Sequence, residues 1–259
     1  MKKILILTYY GTMNHSKGIE IYSKIKNEFK IQFPLFKMIQ CFNSKRIVNK
    51  LKEIHNIHLK TLEEKLELLK NDEILNNNIH SEIEIFVQPI YLTEGTQYEE
   101  ILEVITHYKK YFSNLKIGTP LFHDFTSLET FTEISAKKYT DPETAYIFVG
   151  HGSGGAGKYV YGALGYIFQL KYSNFFTATI EAGIPLPTLE NTILKKFKKV
   201  CLVPLLLVPG YHFKQDIQKK FLEFFQEKNI EVKCIETSLG EDSDFTNLFL
   251  NDSLIKEVN

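Results

Sequence analysis

The 259-residue chain has a single arginine, Arg46, among 31 basic side chains. Sites built on bidentate arginine clamps are therefore all but excluded. Charge of either sign is not in excess: 31 lysines and arginines balance 31 acids. That speaks against a nucleic-acid partner, since phosphate contacts need a basic face. Cysteine is scarce. Cys41, Cys201 and Cys234 fit neither a disulfide framework nor a zinc spacing. No apolar run approaches about 18 residues, so a membrane span is not expected. The opening Lys2-Lys3-Ile4-Leu5-Ile6-Leu7 has the flavour of a signal peptide. Its apolar part gives way to Thr8-Tyr9-Tyr10-Gly11-Thr12, however, and reads better as a first buried strand. A cytoplasmic protein is the expectation.

What is present is an alternation of short apolar runs with longer segments of helical period. Strands are expected at Ile4–Tyr9, Leu35–Cys41, Ile83–Leu92, Leu115–Thr119, Ala145–Gly150, Phe175–Glu181, Val200–Val208 and Ile230–Ile235. Most lack polar alternation, as strands buried on both faces do. Amphipathic stretches lie between them: Gly18–Lys30, Ser44–His55, Thr61–Lys70, Tyr98–Phe112, Tyr159–Leu170 and Lys214–Lys228. This grammar means parallel sheet covered by helices. A single (β/α)8 barrel fits the strand count. Two helical stretches between the second and third strands, and the weak periodicity and turn signals of 119–143, favour two sheets of four strands instead. The expected domains are 1–125 and 126–259.

In open α/β sheets ligands bind beyond the carboxyl ends of the strands. The richest such segment is Gly150-His151-Gly152-Ser153-Gly154-Gly155-Ala156-Gly157-Lys158. Gly152, Gly154 and Gly157 spell a dinucleotide fingerprint, with Glu181 at the end of the next strand. The same loop nearly spells a Walker A motif, but Tyr159 stands where a small hydroxyl must reach magnesium. The His-Gly-rich run also resembles a lipase oxyanion strand, yet no G-x-S-x-G elbow occurs. A lone histidine here would read as a core residue in a tight turn. His151 is not alone: Glu181 closes a second strand, and Pro209-Gly210-Tyr211-His212 follows a third. Parallel strands lie about 5 Å apart, so these ends can converge. Two imidazoles and a carboxylate make a site for Co, Ni, Fe or Zn with open coordination positions.

At these residues the chain resembles the class II, ATP-independent tetrapyrrole chelatases, in particular the anaerobic-type sirohydrochlorin cobaltochelatases of cobalamin biosynthesis. The matching segments are Tyr10-Gly11-Thr12, Phe42-Asn43-Ser44 with Ile47-Val48-Asn49-Lys50-Leu51, Phe148-Val149-Gly150-His151-Gly152, Glu181, and Val203-Pro204-Leu205 through Gly210-Tyr211-His212. The resemblance implies two similar Rossmann-like halves, each a four-stranded parallel sheet flanked by helices, with an active-site cleft between them. It implies His151, Glu181 and His212 as metal ligands and catalytic groups. It places substrate at Tyr10, Gly11, Thr12, Tyr91, Gln97, Gly152 and Ser153. Where family members can show a His and a Glu after the third strand, this chain has Tyr91 and Gln97. The implied reaction inserts a divalent metal, Co2+ first, into sirohydrochlorin or its precorrin-2 form. The metal is a substrate, and no nucleotide cofactor, nucleic acid or membrane takes part; a homo-oligomer is compatible.

Aromatics at strand ends, Tyr9, Tyr10, Tyr91, Phe122 and Tyr211, could offer faces to the ring. The rivals are an NAD-dependent oxidoreductase on the glycine loop, a chelatase for nickel or iron, and a non-catalytic tetrapyrrole or metal carrier. The oxidoreductase leaves His212 without a role.

Overall fold

The computed structural model describes residues 2–71 and 83–251. Within them the order is β1 (Lys2–Tyr9), α1 (His15–Gln32), β2 (Lys37–Phe42), α2 (Lys45–His55), α3 (Leu62–Asn71), β3 (Ile83–Pro89), α4 (Thr96–Tyr108) and β4 (Asn114–Ile117). It continues with α5 (Phe125–Lys138), β5 (Thr144–Gly150), α6 (Val160–Lys171), β6 (Phe175–Thr179), α7 (Glu190–Lys196), β7 (Lys199–Leu205), α8 (Leu222–Gln226), β8 (Glu231–Cys234) and α9 (Ser243–Asn251). A π-helical segment, Phe213–Phe221, runs into α8.

The strands form two separate parallel sheets, ordered β2-β1-β3-β4 and β6-β5-β7-β8, which excludes the eight-stranded barrel. Two compact units result, one of Met1–Leu121 with the chain from Phe249, the other of Phe122–Leu248. Both units are built by the same logic. Strands β3 and β5 are buried along their whole length, as inner strands covered on both faces are, and in β3 this takes in Glu84 and Gln88. Helices cover them with one face each: α1 buries Ile21, Tyr22, Ile25 and Phe29, and α4 buries Tyr98, Ile101, Ile105 and Tyr108. These are i, i+3, i+4 spacings, the apolar stripe of a helix lying on a sheet. Tyr9 and Phe122, read above as candidate ring contacts, are instead fully buried core residues.

The stretch 119–143 holds α5, a 14-residue helix where weak periodicity was expected. Its inner face carries Ser127, Thr132 and Ser135 beside Leu128 and Phe131, so burial does not track hydrophobicity. Asp124 starts the helix through a capping box, its carboxylate accepting from Ser127 N at 2.8 Å. Strand β2 begins at Lys37 and not at Leu35, which is 78% exposed.

The two units repeat one strand-end arrangement. In the first, Tyr10 and Gly11 follow β1, with Gly11 at φ +102°. Asn43 N donates to Tyr9 O (2.8 Å) and Ser44 N to Tyr10 O (3.1 Å). In the second, His151 and Gly152 follow β5, with Gly152 at φ +96°. Ile180 N donates to Gly150 O and Glu181 N to His151 O, both at 2.9 Å. Thr8 pairs with Pro89 as Val149 pairs with Pro204. Each sheet reverses its winding direction at this place, between β1 and β3 or between β5 and β7, the position where open α/β sheets bind ligands.

Candidate metal centre

His151, Glu181 and His212 meet at the carboxyl end of the second sheet. His151 leaves β5 directly, Glu181 lies two residues beyond β6, and His212 sits at the entry of the π-helical segment after β7. Their nearest ligand atoms all lie within 4.8 Å of one another. Donors about 2.0–2.2 Å from a tetrahedral ion lie ~3.3–3.6 Å apart, so the three would draw together by roughly an ångström to close on one. The imidazoles of His151 and His212 are perpendicular, with centroids 4.5 Å apart. His151 Nε2 is 3.9 Å from Glu181 Oε1, and the two side chains are 43% and 59% exposed. Both remain open to water and to an incoming ion.

Backbone geometry explains the glycines on either side of His151. A Cβ on Gly150 would run into the ring of Tyr161, from α6. Gly152 has positive φ, and a Cβ there would strike the backbone of Ala182. Only glycine allows this approach, and it carries the His151 carbonyl to the Glu181 N–H. The Tyr161 phenol is pushed up to about 12 by burial, opposed by a hydrogen bond from the Gly152 backbone. After Ser153 the loop enters a 3₁₀ turn, Gly155–Tyr159, before α6 begins. The N–H row of an α-helix that would cradle a pyrophosphate therefore does not follow the glycines directly.

Sequence reasoning missed Asp216. It lies on the first π-helical turn, and its side chain is 8% exposed. One carboxylate oxygen is 2.8 Å from His212 Nδ1, and the other receives Lys220 Nζ. Burial pushes this carboxyl up, but the hydrogen bonds from Lys220 and His212 outweigh it and hold the group below the usual aspartate range. The available signal was the spacing His212–Asp216–Lys220, four residues apart each time, which puts the three on one helix face.

The other candidate residues fall into two groups. Gly152 and Ser153 adjoin His151 in the second unit. Tyr10, Gly11, Thr12, Tyr91 and Gln97 belong to the first unit, at the carboxyl ends of its own strands. There Tyr10 is exposed and Gly11 has left-handed backbone. Thr12 Oγ1 accepts from Asn14 N. The Tyr91 hydroxyl is shut off from solvent, and this desolvation puts its ionisation well above the tyrosine range. Gln97 is exposed in the first turn of α4. Among the described residues no helix is long and apolar enough to cross a membrane.

Comparison with known proteins bears on the family and the fold. A sirohydrochlorin cobaltochelatase of Salmonella typhimurium strain LT2 is 22% identical over 224 residues, 84% of this chain and 80% of the relative. Among solved structures, SirB from Bacillus subtilis with Fe3+ superposes with a TM-score of 0.64 at 16% identity, covering 99% of this chain and 95% of that one. The sirohydrochlorin chelatase SirB from Bacillus subtilis subspecies spizizenii, in complex with cobalt, gives 0.63 at 14% identity, covering 97% and 94%. At these identities the structures establish a shared fold. The cobalt chelatase family model, CbiK, matches residues 2–258, and the chain is a member of that family of metal chelatases.

Proposed function

We propose that this protein inserts cobalt(II) into sirohydrochlorin, or its precorrin-2 form, without ATP and in the cytoplasm. His151, Glu181 and His212 would receive the ion. The observation that carries the reading is the convergence of these three donors from three adjacent strand ends. The Salmonella relative's name supports the same tetrapyrrole and metal.

Insertion removes two N–H protons from the macrocycle and replaces water on the ion with pyrrole nitrogens. Neutral imidazoles suit both tasks, since each can hold a divalent ion or take up a proton near neutral pH. Glu181 supplies negative charge, which draws the cation to a chain with no net charge of its own. With Gln97 where family members can carry a carboxylate, proton acceptance falls to the two histidines. Substrate carboxylates would meet lysines, hydroxyls and backbone N–H groups, with Tyr10, Gly11, Thr12, Gln97, Gly152 and Ser153 as the proposed contacts; the Tyr91 hydroxyl, shut off from solvent, is not among them.

The test is anaerobic insertion into sirohydrochlorin with Co2+, Ni2+ and Fe2+ in parallel, without nucleotide, followed by absorbance. Protein-dependent insertion fastest with Co2+ is the expected result. Tight binding of metal and macrocycle with no acceleration over the protein-free rate would instead make this a carrier.

A further inference from the structure

We infer that Asp216 is a positioning residue, acting through His212 to keep the imidazole's Nε2 available as the metal donor; this rests on the proposed reading of the site. A carboxylate only accepts hydrogen bonds. Asp216 is nine-tenths buried, with one oxygen 2.8 Å from His212 Nδ1 and the other on the Lys220 ammonium. With the acceptor fixed, Nδ1 must carry the proton of that hydrogen bond, and the neutral ring's lone pair is on Nε2. The same bond fixes the ring plane, which stands perpendicular to that of His151. Lys220 acts one step further out by holding the second oxygen, so the carboxylate is gripped from both sides. The three residues follow one another at four-residue steps, starting where the π-helical segment begins, and π-helical turns are rare and frequently found at functional sites.

Glu181 and His151, by contrast, approach no closer than 3.9 Å. Among the three donors His212 is thus the one whose tautomer is set by a buried carboxylate. Carboxylates that hold a ligating imidazole by its other nitrogen typically change metal affinity or activity by about 10–100-fold when lost.

Asp216→Asn separates positioning from packing, because the amide keeps the shape yet can donate to Nδ1 and drive the proton to Nε2. Long-range 1H–15N correlation on histidine-labelled protein, without metal, reads the tautomer directly. The wild type should show a protonated Nδ1 and a lone-pair Nε2 for His212. The Asn variant should gain the Nε2–H form, and its Kd for Co2+, measured by titration with the metal alone, should rise about 10–100-fold. Asp216→Glu, which keeps an acceptor, should retain the wild-type tautomer. An Nε2–H tautomer in the wild type overturns the inference by itself, even if the Asn variant fails to fold. So does an Asn variant with unchanged tautomer and Co2+ affinity. Neither readout needs sirohydrochlorin, so absent insertion activity would sink the functional reading without touching this one.

Discussion

Gly152→Ala is expected to damage both stability and metal binding, because the position is closed to a side chain twice over. Its φ of +96° is left-handed backbone, which costs a residue with a Cβ about 1–2 kcal/mol. The added carbon would also stand 2.8 Å from the Ala182 nitrogen, where ordinary contact begins at 3.4 Å. The backbone must retreat by at least about 0.6 Å, and forced repacking of this sort costs ~1–3 kcal/mol. Together these predict a loss of about 2–5 kcal/mol and a fall in Tm on the order of 10 °C for a chain of this length. Ala182 follows Glu181, so the retreat also pulls one donor away from His151. A misplacement of about 1 Å can cost ~10²-fold in activity, and Co2+ affinity should weaken alongside. Gly162→Ala is the control. It lies within α6 with nothing within 4 Å of its would-be Cβ, and should stabilise by roughly 0.5–1 kcal/mol. Calorimetry and Co2+ titration of both variants measure the contrast. A Gly152→Ala protein with wild-type Tm and wild-type Co2+ affinity would refute the steric argument.

His151→Ala and His212→Ala should each keep the fold and lower insertion by at least about 10²-fold, the scale of a positioned acid–base group; near-wild-type turnover in either removes that residue from the mechanism. Asp124→Ala strips the cap of α5 and should cost about 1 kcal/mol in urea denaturation, with an unchanged midpoint counting against the capping box. Glu67 is held at about 2 by hydrogen bonds from Lys70, Tyr108 and Asn71. Its folded pKa is depressed, so its contribution is present above the ordinary value of 4.5 and lost as pH falls toward 2. Glu67→Gln should therefore destabilise at pH 6 and have progressively less effect in melts from pH 4.5 downward.

The convergence of His151, Glu181 and His212 was legible because strand ends are legible. An apolar run that stops at Gly150, at Ile180 or in Leu206-Leu207-Val208 marks where a sheet delivers the next polar side chain. The dinucleotide and Walker readings of the loop arose because glycine spacing records backbone freedom and not its purpose. Gly150 and Gly152 are needed for Tyr161, on the helix that follows the loop, and for Ala182, beyond the next strand. Asp216 escaped notice because an acid between two lysines on a helix looks like a solvated face. Only the tertiary fold reveals that it is buried under His212. Helix α5 escaped because its inner face closes with hydroxyls: Thr132 Oγ1 bonds back to Leu128 O within the helix, which lets a polar residue pack as an apolar one.

The unequal grip on the three donors bears on turnover. An enzyme that keeps its metal gains from holding every ligand rigidly, whereas one that passes the ion on is slowed by each bond it holds too well. On the proposed reading His212 is locked from behind by Asp216 and Lys220, while His151 and Glu181 are exposed and lie 3.9 Å apart. An ion seated there would have one fixed anchor and two donors that can swing out and be replaced one at a time. Ligand exchange would then proceed stepwise from the solvent side, with His212 the last contact to break. Affinity and release rate become separately adjustable: the first through the anchor, the second through the two loose arms.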